Sequence, residues 1–309
     1  MDRFISIPSK LPEEMRLKDQ LIHYIKDTKY NIGFVDGSLK DVIEKDQPIK
    51  VNWLKHSYKD RWFADPFILD VTDKEIWVLV EEWYDPINRG RISKLIIDKH
   101  TYKLIDIIVL LELESHLSFP AIRRAQDGIY IYPENSVTSK LTEYKYIPEK
   151  EKLELSSIIA NEPLTDAIQT DIFGEQLLFS TRLPDANGKD LYIYQYSEKT
   201  KTFKEVNQYH YNENLSRSAG DFFKCGEKIY RPSQVCIKSY GDAVSIQVVN
   251  YLNGQFYEKE VKRIYSPHPD LDLGFHTFNT YKDIIVVDAV GYRHAKFCHI
   301  LRKLNKILK

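Results

Sequence analysis

A few polar side chains in this chain sit where polar groups are costly. Asp65 lies in Trp62-Phe63-Ala64-Asp65-Pro66-Phe67-Ile68, a carboxylate among aromatic and aliphatic residues and followed by proline. Such a carboxylate is either desolvated and reactive or tied into a structural hydrogen-bond network. Comparable positions are held by His116 and Ser118 in His116-Leu117-Ser118-Phe119-Pro120, Glu134 in Tyr132-Pro133-Glu134-Asn135-Ser136, and Asp166 in Leu164-Thr165-Asp166-Ala167. Arg217 follows in Ser216-Arg217-Ser218-Ala219-Gly220, Arg231 and Gln234 in Arg231-Pro232-Ser233-Gln234, and His276 and Asn279 in His276-Thr277-Phe278-Asn279. The acids could exchange protons with a ligand, and guanidinium presents a fork of donors to carboxylate or phosphate. Trp62, Trp83 and Tyr240 offer flat faces for stacking, or core packing. Each member also has a plain structural reading: Asp166 as a turn cap, Arg217 as the counter-ion of Asp65. The set means more if the fold brings its members to one place.

The elements that would do so repeat. From Trp62 onward each unit has a polar-studded first strand, a gap, and a strongly apolar second strand at 76–81, 129–132, 177–180, 229–232 and 284–287. Third strands are expected at 92–97, 141–147, 191–197 and 243–252. Anchored on Asp65, Phe119, Asp166, Ala219 and Thr277, the spacings are 54, 47, 53 and 58 residues. That period suits the blade of an all-β, five-bladed propeller, in which the first strands line a central channel. A β-sandwich also has alternating strands but does not require five long, similar units. The fifth unit lacks a clear third strand, so residues 31–36 are expected to close the ring there; 41–60 reads as polar and irregular. Residues 1–29 form a helical extension with an amphipathic pattern over 11–28, 30–294 the propeller, and 295–309 a basic amphipathic tail that reads as a helix or, up to Leu301, as a strand.

Composition narrows the function classes. The chain has 309 residues and a formal charge of −1, with basic and acidic residues interspersed, which leaves no footprint for nucleic acid. Its 21 Tyr and 14 Phe against 2 Met favour pleated sheets. Cys225, Cys236 and Cys298 have no metal-type spacing and read as reduced thiols. No signal-peptide core or membrane span is evident, so a cytoplasmic location is expected, with the basic tail packed on the propeller or, as the alternative, a contact for an anionic membrane or a partner enzyme. Glycine-rich phosphate loops, zinc patterns and nucleophile elbows are missing, so no cofactor or metal is expected. The triplet Asp270-Leu271-Asp272 is a pattern common by chance.

The ordered motifs resemble a known family. Phe63-Ala64-Asp65-Pro66-Phe67, His116-Leu117-Ser118-Phe119-Pro120, Tyr132-Pro133-Glu134-Asn135-Ser136, Asp166-Ala167, Arg217-Ser218-Ala219-Gly220, Arg231-Pro232-Ser233-Gln234, Tyr240-Gly241 and His276-Thr277-Phe278-Asn279 look like the N-terminal domain of the glucosamine inositolphosphorylceramide transferases and their bacterial relatives, over about residues 30–293. The Asp-Pro in an aromatic first strand is similar, more distantly, to the propeller glycoside hydrolases of families 43, 62, 32 and 68. That resemblance implies Asp65 as base or nucleophile. The acid is open between Glu134 and Asp166, because no carboxylate stands near Ser118 or Phe119, where the hydrolases carry their second acid. Glycosyl transfer needs one ionised and one protonated carboxyl about an oxocarbenium-like centre. His116, Ser118, Arg217, Arg231, Gln234, His276 and Asn279 would bind the substrate, and the arginines point to an anionic or phosphate-bearing glycan or glycolipid. The expected function is carbohydrate chemistry in surface-polysaccharide biosynthesis. The alternative is a non-catalytic glycan-binding propeller that serves a separate glycosyltransferase.

Overall fold

The structure is a computed structural model that describes residues 27–298. In chain order its strands are β1 (Thr28–Asp36) and β2 (Lys50–Trp53), then β3 (Arg61–Val71), β4 (Glu75–Tyr84), β5 (Arg89–Asp98) and β6 (Leu104–Leu111). Next come β7 (Ser118–Ala125), β8 (Gly128–Glu134), β9 (Leu141–Ile147) and β10 (Lys152–Ala160), then β11 (Leu164–Thr170), β12 (Leu177–Arg182), β13 (Asp190–Ser197) and β14 (Thr202–His210). The last are β15 (Phe223–Cys225), β16 (Lys228–Val235), β17 (Ala243–Leu252), β18 (Gln255–Ile264), β19 (Phe278–Tyr281) and β20 (Ile284–Tyr292). They form five four-stranded antiparallel sheets: β3–β6, β7–β10, β11–β14, β15–β18 and β19–β20–β1–β2. This is the five-bladed propeller expected from the repeat.

Burial follows position in the blade. The inner strand β3 is buried along nearly its whole length, whereas outer strands such as β14 expose one side. An inner strand packs on both faces and so reads as continuous apolar residues; an outer strand alternates. Three apolar clusters span the seams between blades, one of which joins Ile32 and Phe34 of β1 to Phe63, Val78 and Leu95 of the first blade.

The ring closes as expected, with β1 beside β20 in the register Thr28↔Tyr292 to Phe34↔Val286. Two expectations need correction. Within 41–60, Lys50–Trp53 is the fourth strand of blade five, a short edge strand that sequence polarity disguised. A helix α1 (Leu39–Glu44), whose N-cap Ser38 accepts from the Asp41 N–H, links it to β1. In blades four and five the stretches 216–221 and 274–279 are mostly not strand. Only the bridges Ser218↔Ser233 and Gly274↔Val290 form there, and the inner strands begin later, at Phe223 and Phe278. The N-terminal helix lies outside the described residues, except that Thr28 already belongs to β1; so does the tail beyond Cys298, of which Ala295–Cys298 is helical. No described helix is long and apolar enough to cross a membrane.

Candidate functional site

The inner strands of the first three blades share one irregularity. Pairing skips two residues between Ala64 and Phe67, Ser118 and Ala121, and Thr165 and Ile168. The first skipped residue is left-handed in each case, with φ of 50° at Asp65, 44° at Phe119 and 45° at Asp166. A bulge of this kind turns its backbone N–H and side chain out of the sheet. For a residue such as Phe119 the conformation costs on the order of 1–3 kcal/mol, so surrounding bonds must hold it. Proline follows at 66 and 120, so the second skipped residue leaves no N–H unpaired.

Those bonds come from carboxylates of the neighbouring blade. The Asp65 N–H donates to Asp288 Oδ2 at 2.9 Å, the Phe119 N–H to Asp65 Oδ2 at 3.0 Å, and the Asp166 N–H to Glu134 Oε2 at 3.0 Å. Asp166 Oδ2 in turn accepts from Arg217 Nε and, at 2.6 Å, from Gln234 Nε2 of blade four. Between blades four and five, Asn279 Oδ1 accepts the Asp221 N–H at 2.8 Å. One chain of polar contacts therefore passes around the whole inner ring.

Within it the charges are paired unevenly. Asp288 accepts the N–H groups of His276 and Thr277 and lies 2.7 Å from His276 Nδ1. The other ring nitrogen is 3.5 Å from Asp65 Oδ1, which also accepts from Thr277 Oγ1 at 3.2 Å. Burial alone would lower His276, but Asp288 and Asp65 outweigh it and raise the imidazole to about 9. Asp65, His276 and Asp288 present atoms within 4.8 Å of one another, a spacing a divalent cation could use. Here both ring nitrogens already face carboxylates, and the imidazolium is itself the cation. Burial pushes Asp65 up to about 6, held back by His276. Burial pushes Glu134 further, to about 8, against the pull of Arg217 at 3.3 Å. Glu134 is thus pushed further above its ordinary range than Asp65, a difference set by environment.

Aromatic rings enclose this cluster in an arc. His116 lies against Trp83 (5.9 Å between centroids) and Trp83 stacks on Trp62 (5.4 Å, 7°). Trp62 meets Tyr30 (4.9 Å), Tyr30 stacks on His276 (5.0 Å), and His276 meets Tyr240 (5.4 Å), whose ring lies under Arg217 at 4.9 Å. Gly241 makes the last approach feasible: its φ is +59°, and a Cβ there would sit 2.5 Å from that of His276.

Of the residues singled out in the sequence, Asp65 and His276 meet in one bonded group, and Glu134, Asp166, Arg217 and Gln234 in a second beside it. Ser118 pairs with Glu134 across β7 and β8. His116 is at the exposed edge, its Nε2 3.5 Å from Glu81. Asn279 is present but spent on backbone, accepting from Asp221 and donating to Pro66 O at 2.9 Å. Arg231 must be corrected: it is fully buried in blade four, bonded to Tyr211 Oη and Ser216 O and 3.7 Å from Glu258. Arg231 and Gln234 are three apart on β16 and so point to opposite faces. The reading missed Tyr30, Glu81, Thr277 and Asp288. Asp288 had a signal, an acid inside Ile284-Ile285-Val286-Val287-Asp288-Ala289-Val290, since acids are rarely buried without partners. Among the described residues, Asp270 and Asp272 join no group of three metal-type ligands.

Comparison with known proteins fits this architecture. A curated protein of rice (Oryza sativa subsp. japonica), glucosamine inositolphosphorylceramide transferase 1, is 24% identical over 211 residues, covering 65% of this chain and 28% of the relative. The chain thus spans less than a third of that relative's length. A family-43 β-xylosidase/α-arabinofuranosidase from a compost metagenome superposes with a TM-score of 0.51 at 10% identity, covering 75% of this chain and 91% of the enzyme. A family-43 enzyme of Xanthomonas citri gives 0.50 at 10% identity, covering 76% and 87%. At such identities these two establish a shared fold. The family profile described as glucosamine inositolphosphorylceramide transferase 1, N-terminal, matches residues 51–270, and the chain belongs to that family.

Proposed function

We propose that the inner-ring cluster is a carbohydrate site that acts on a glycosyl linkage, with Asp65 as base or nucleophile and Glu134 as acid. The observation that carries this is a pair of buried carboxyls inside an aromatic arc, both pushed above the ordinary carboxylate range and Glu134 the further, an arrangement that suits glycosyl chemistry. Asp166 is the weaker candidate for the acid, because its Oδ2 is already taken up by donors from Arg217 and Gln234. The name of the rice relative, a glucosamine inositolphosphorylceramide transferase, supports a glycan or glycolipid as ligand. Arg231 no longer argues for an anionic one, and Arg217 faces Asp166 and Glu134. A neutral or amine-bearing sugar suits this acidic surface better.

One observation favours a binding role without turnover. Asp65 already accepts from Phe119 and Thr277 beside His276, and no carboxylate stands near Ser118 or Phe119, where the resemblance to the hydrolases implies a second acid. The experiment is a panel of neutral, amino and phosphorylated saccharides and nucleotide sugars, tested for binding and turnover with wild type, Asp65→Asn and Glu134→Gln. On the enzymatic reading either substitution lowers turnover by about 10²-fold or more while binding persists. Unchanged turnover in Asp65→Asn removes Asp65 from the mechanism. Binding with no turnover by the wild type selects the second reading.

A further inference from the structure

The seam between blades three and four is closed at its inner end by the bonds from Arg217 and Gln234 to Asp166. Further out it opens into two adjoining cavities. The larger, of about 350 Å³, lies between β14 and β18; the smaller, of about 230 Å³, shares Asn212 and Glu213 with it and reaches Lys189 and Ile237. Strand geometry builds the walls. Tyr209 and Tyr211 are two residues apart at the end of β14 and so face the same way, their rings edge to face at 4.9 Å. Glu258 and Glu260 stand likewise on β18, beside Gln247 of β17. The joining loop is tied at both ends, with the Tyr211 N–H on Lys189 O at 2.8 Å and the Cys236 N–H on Asn214 O at 2.9 Å. Arg231 lies behind this wall. It donates to Tyr211 Oη at 2.7 Å and stands 3.7 Å from Glu258, whose side chain is only 4% exposed.

The chemistry of the lining selects a ligand class. Its acids Glu213, Glu258 and Glu260 are matched by Arg231, Arg263 and Lys189: Arg263 donates to Glu260 at 2.9 Å and to Glu213 at 3.2 Å, Arg231 backs Glu258, and Lys189 borders the smaller cavity. His210 is turned to Asp190 at 2.7 Å. A charged ligand would have to displace one of these partners, which leaves a charge uncompensated. By contrast, no hydrogen bond engages the side-chain amides of Asn212 and Asn214 among the described residues, and each offers both donors and an acceptor. Free donors and acceptors beside tyrosine rings suit an uncharged, polyhydroxylated molecule. The larger cavity is at the small end of the range for ligand pockets, which starts at roughly 300 Å³. We infer that the outer part of this seam is a second binding site, for a neutral saccharide unit, with Tyr209 and Tyr211 as its apolar wall and Asn212 and Asn214 as its polar contacts. It uses neither Asp65 nor Glu134, so it goes beyond the function proposed above and does not rest on it.

The test is NMR titration of the whole chain with the methyl glycosides of glucose, galactose and mannose. Methylammonium and inorganic phosphate serve as charged controls. The side-chain amide signals of Asn212 and Asn214 report the seam, and the ring signals of His276 report the inner ring. The expected result is a saturable shift of both amides with at least one sugar and a weaker response to either control. Asn212→Ala, at an exposed loop position, should raise the dissociation constant of that sugar about twofold to tenfold, the loss of one neutral hydrogen bond. Amides unmoved by every sugar, or moved more by methylammonium or phosphate, overturn the inference, as does an unchanged constant in Asn212→Ala. Shifts confined to His276 assign the sugar to the inner ring alone and likewise overturn it. Turnover plays no part in these readouts, so failure of the proposed function leaves the result standing.

Discussion

Glu134 ties a proton to the cohesion of two blades. Its carboxyl holds the Asp166 N–H, and its folded value of about 8 lies above the ordinary 4.5. A group raised in this way contributes stability that is fully present below about 4.5 and is lost as pH climbs through about 8. Wild-type thermal stability should therefore fall between about pH 5 and about pH 8, and Glu134→Gln should narrow that fall by at least about 1 kcal/mol. Parallel melting curves for the two proteins over this window would refute the assignment. Asp65 and Asp166 were legible because each interrupts an apolar context at the same point of the repeat, and Arg217 and His276 because they stand within two residues of that point. Glu81 was not: in Glu81-Glu82-Trp83 it follows an apolar strand as if leaving the sheet, and only its pairing with Ala64 shows that it faces the cluster. Tyr30 was hidden for another reason, because its strand reaches the site only through ring closure.

Bulges, turns and closing strands set those residues in place. The left-handed Asp65, Phe119 and Asp166 sit at the very positions that define the sequence repeat, so the repeat records a backbone requirement as well as a packing one. Third strands were readable from alternation to within a few residues. The inner segment of blade five was overextended because its N–H groups at His276 and Thr277 go to the Asp288 side chain and not to a ladder, and that of blade four ends with the Asp221 N–H on Asn279 Oδ1. The Gly241 turn carries its own test. Gly241→Ala places a methyl against His276 in a left-handed turn, which should cost about 1–3 kcal/mol and push the imidazole away from Asp288. By NMR titration the His276 midpoint, about 9 in wild type, should then move towards the ordinary 6.5. An unmoved midpoint would show that the turn does not position this ring.

At the level of the molecule, closure depends on β1, which brings Ile32 and Phe34 between the last blade and the first. Phe34→Ala should lower stability by about 3–5 kcal/mol, read as a shift in urea midpoint. Ile105→Ala on the outer strand β6, where the side chain is 55% exposed, should change it by no more than about 0.5 kcal/mol. Equal losses would mean that closure is not a privileged seam. The five-blade count was visible in the sequence because each blade repeats its inner motif; β2 was not, because Lys50-Val51-Asn52-Trp53 is half polar and only its pairing with β1 makes it a strand.

The chain of contacts around the inner ring gives the molecule an unusual economy. Asp288, Asp65, Glu134, Asp166 and Asn279 each fasten one blade to the next, and four of the five also belong to the proposed site. A ligand that settles among these acids leans on four of the five joints of the wheel at once. Occupancy should therefore be legible as a change in how hard the ring is to pull apart, so an ordinary melting curve becomes a detector for an unknown sugar.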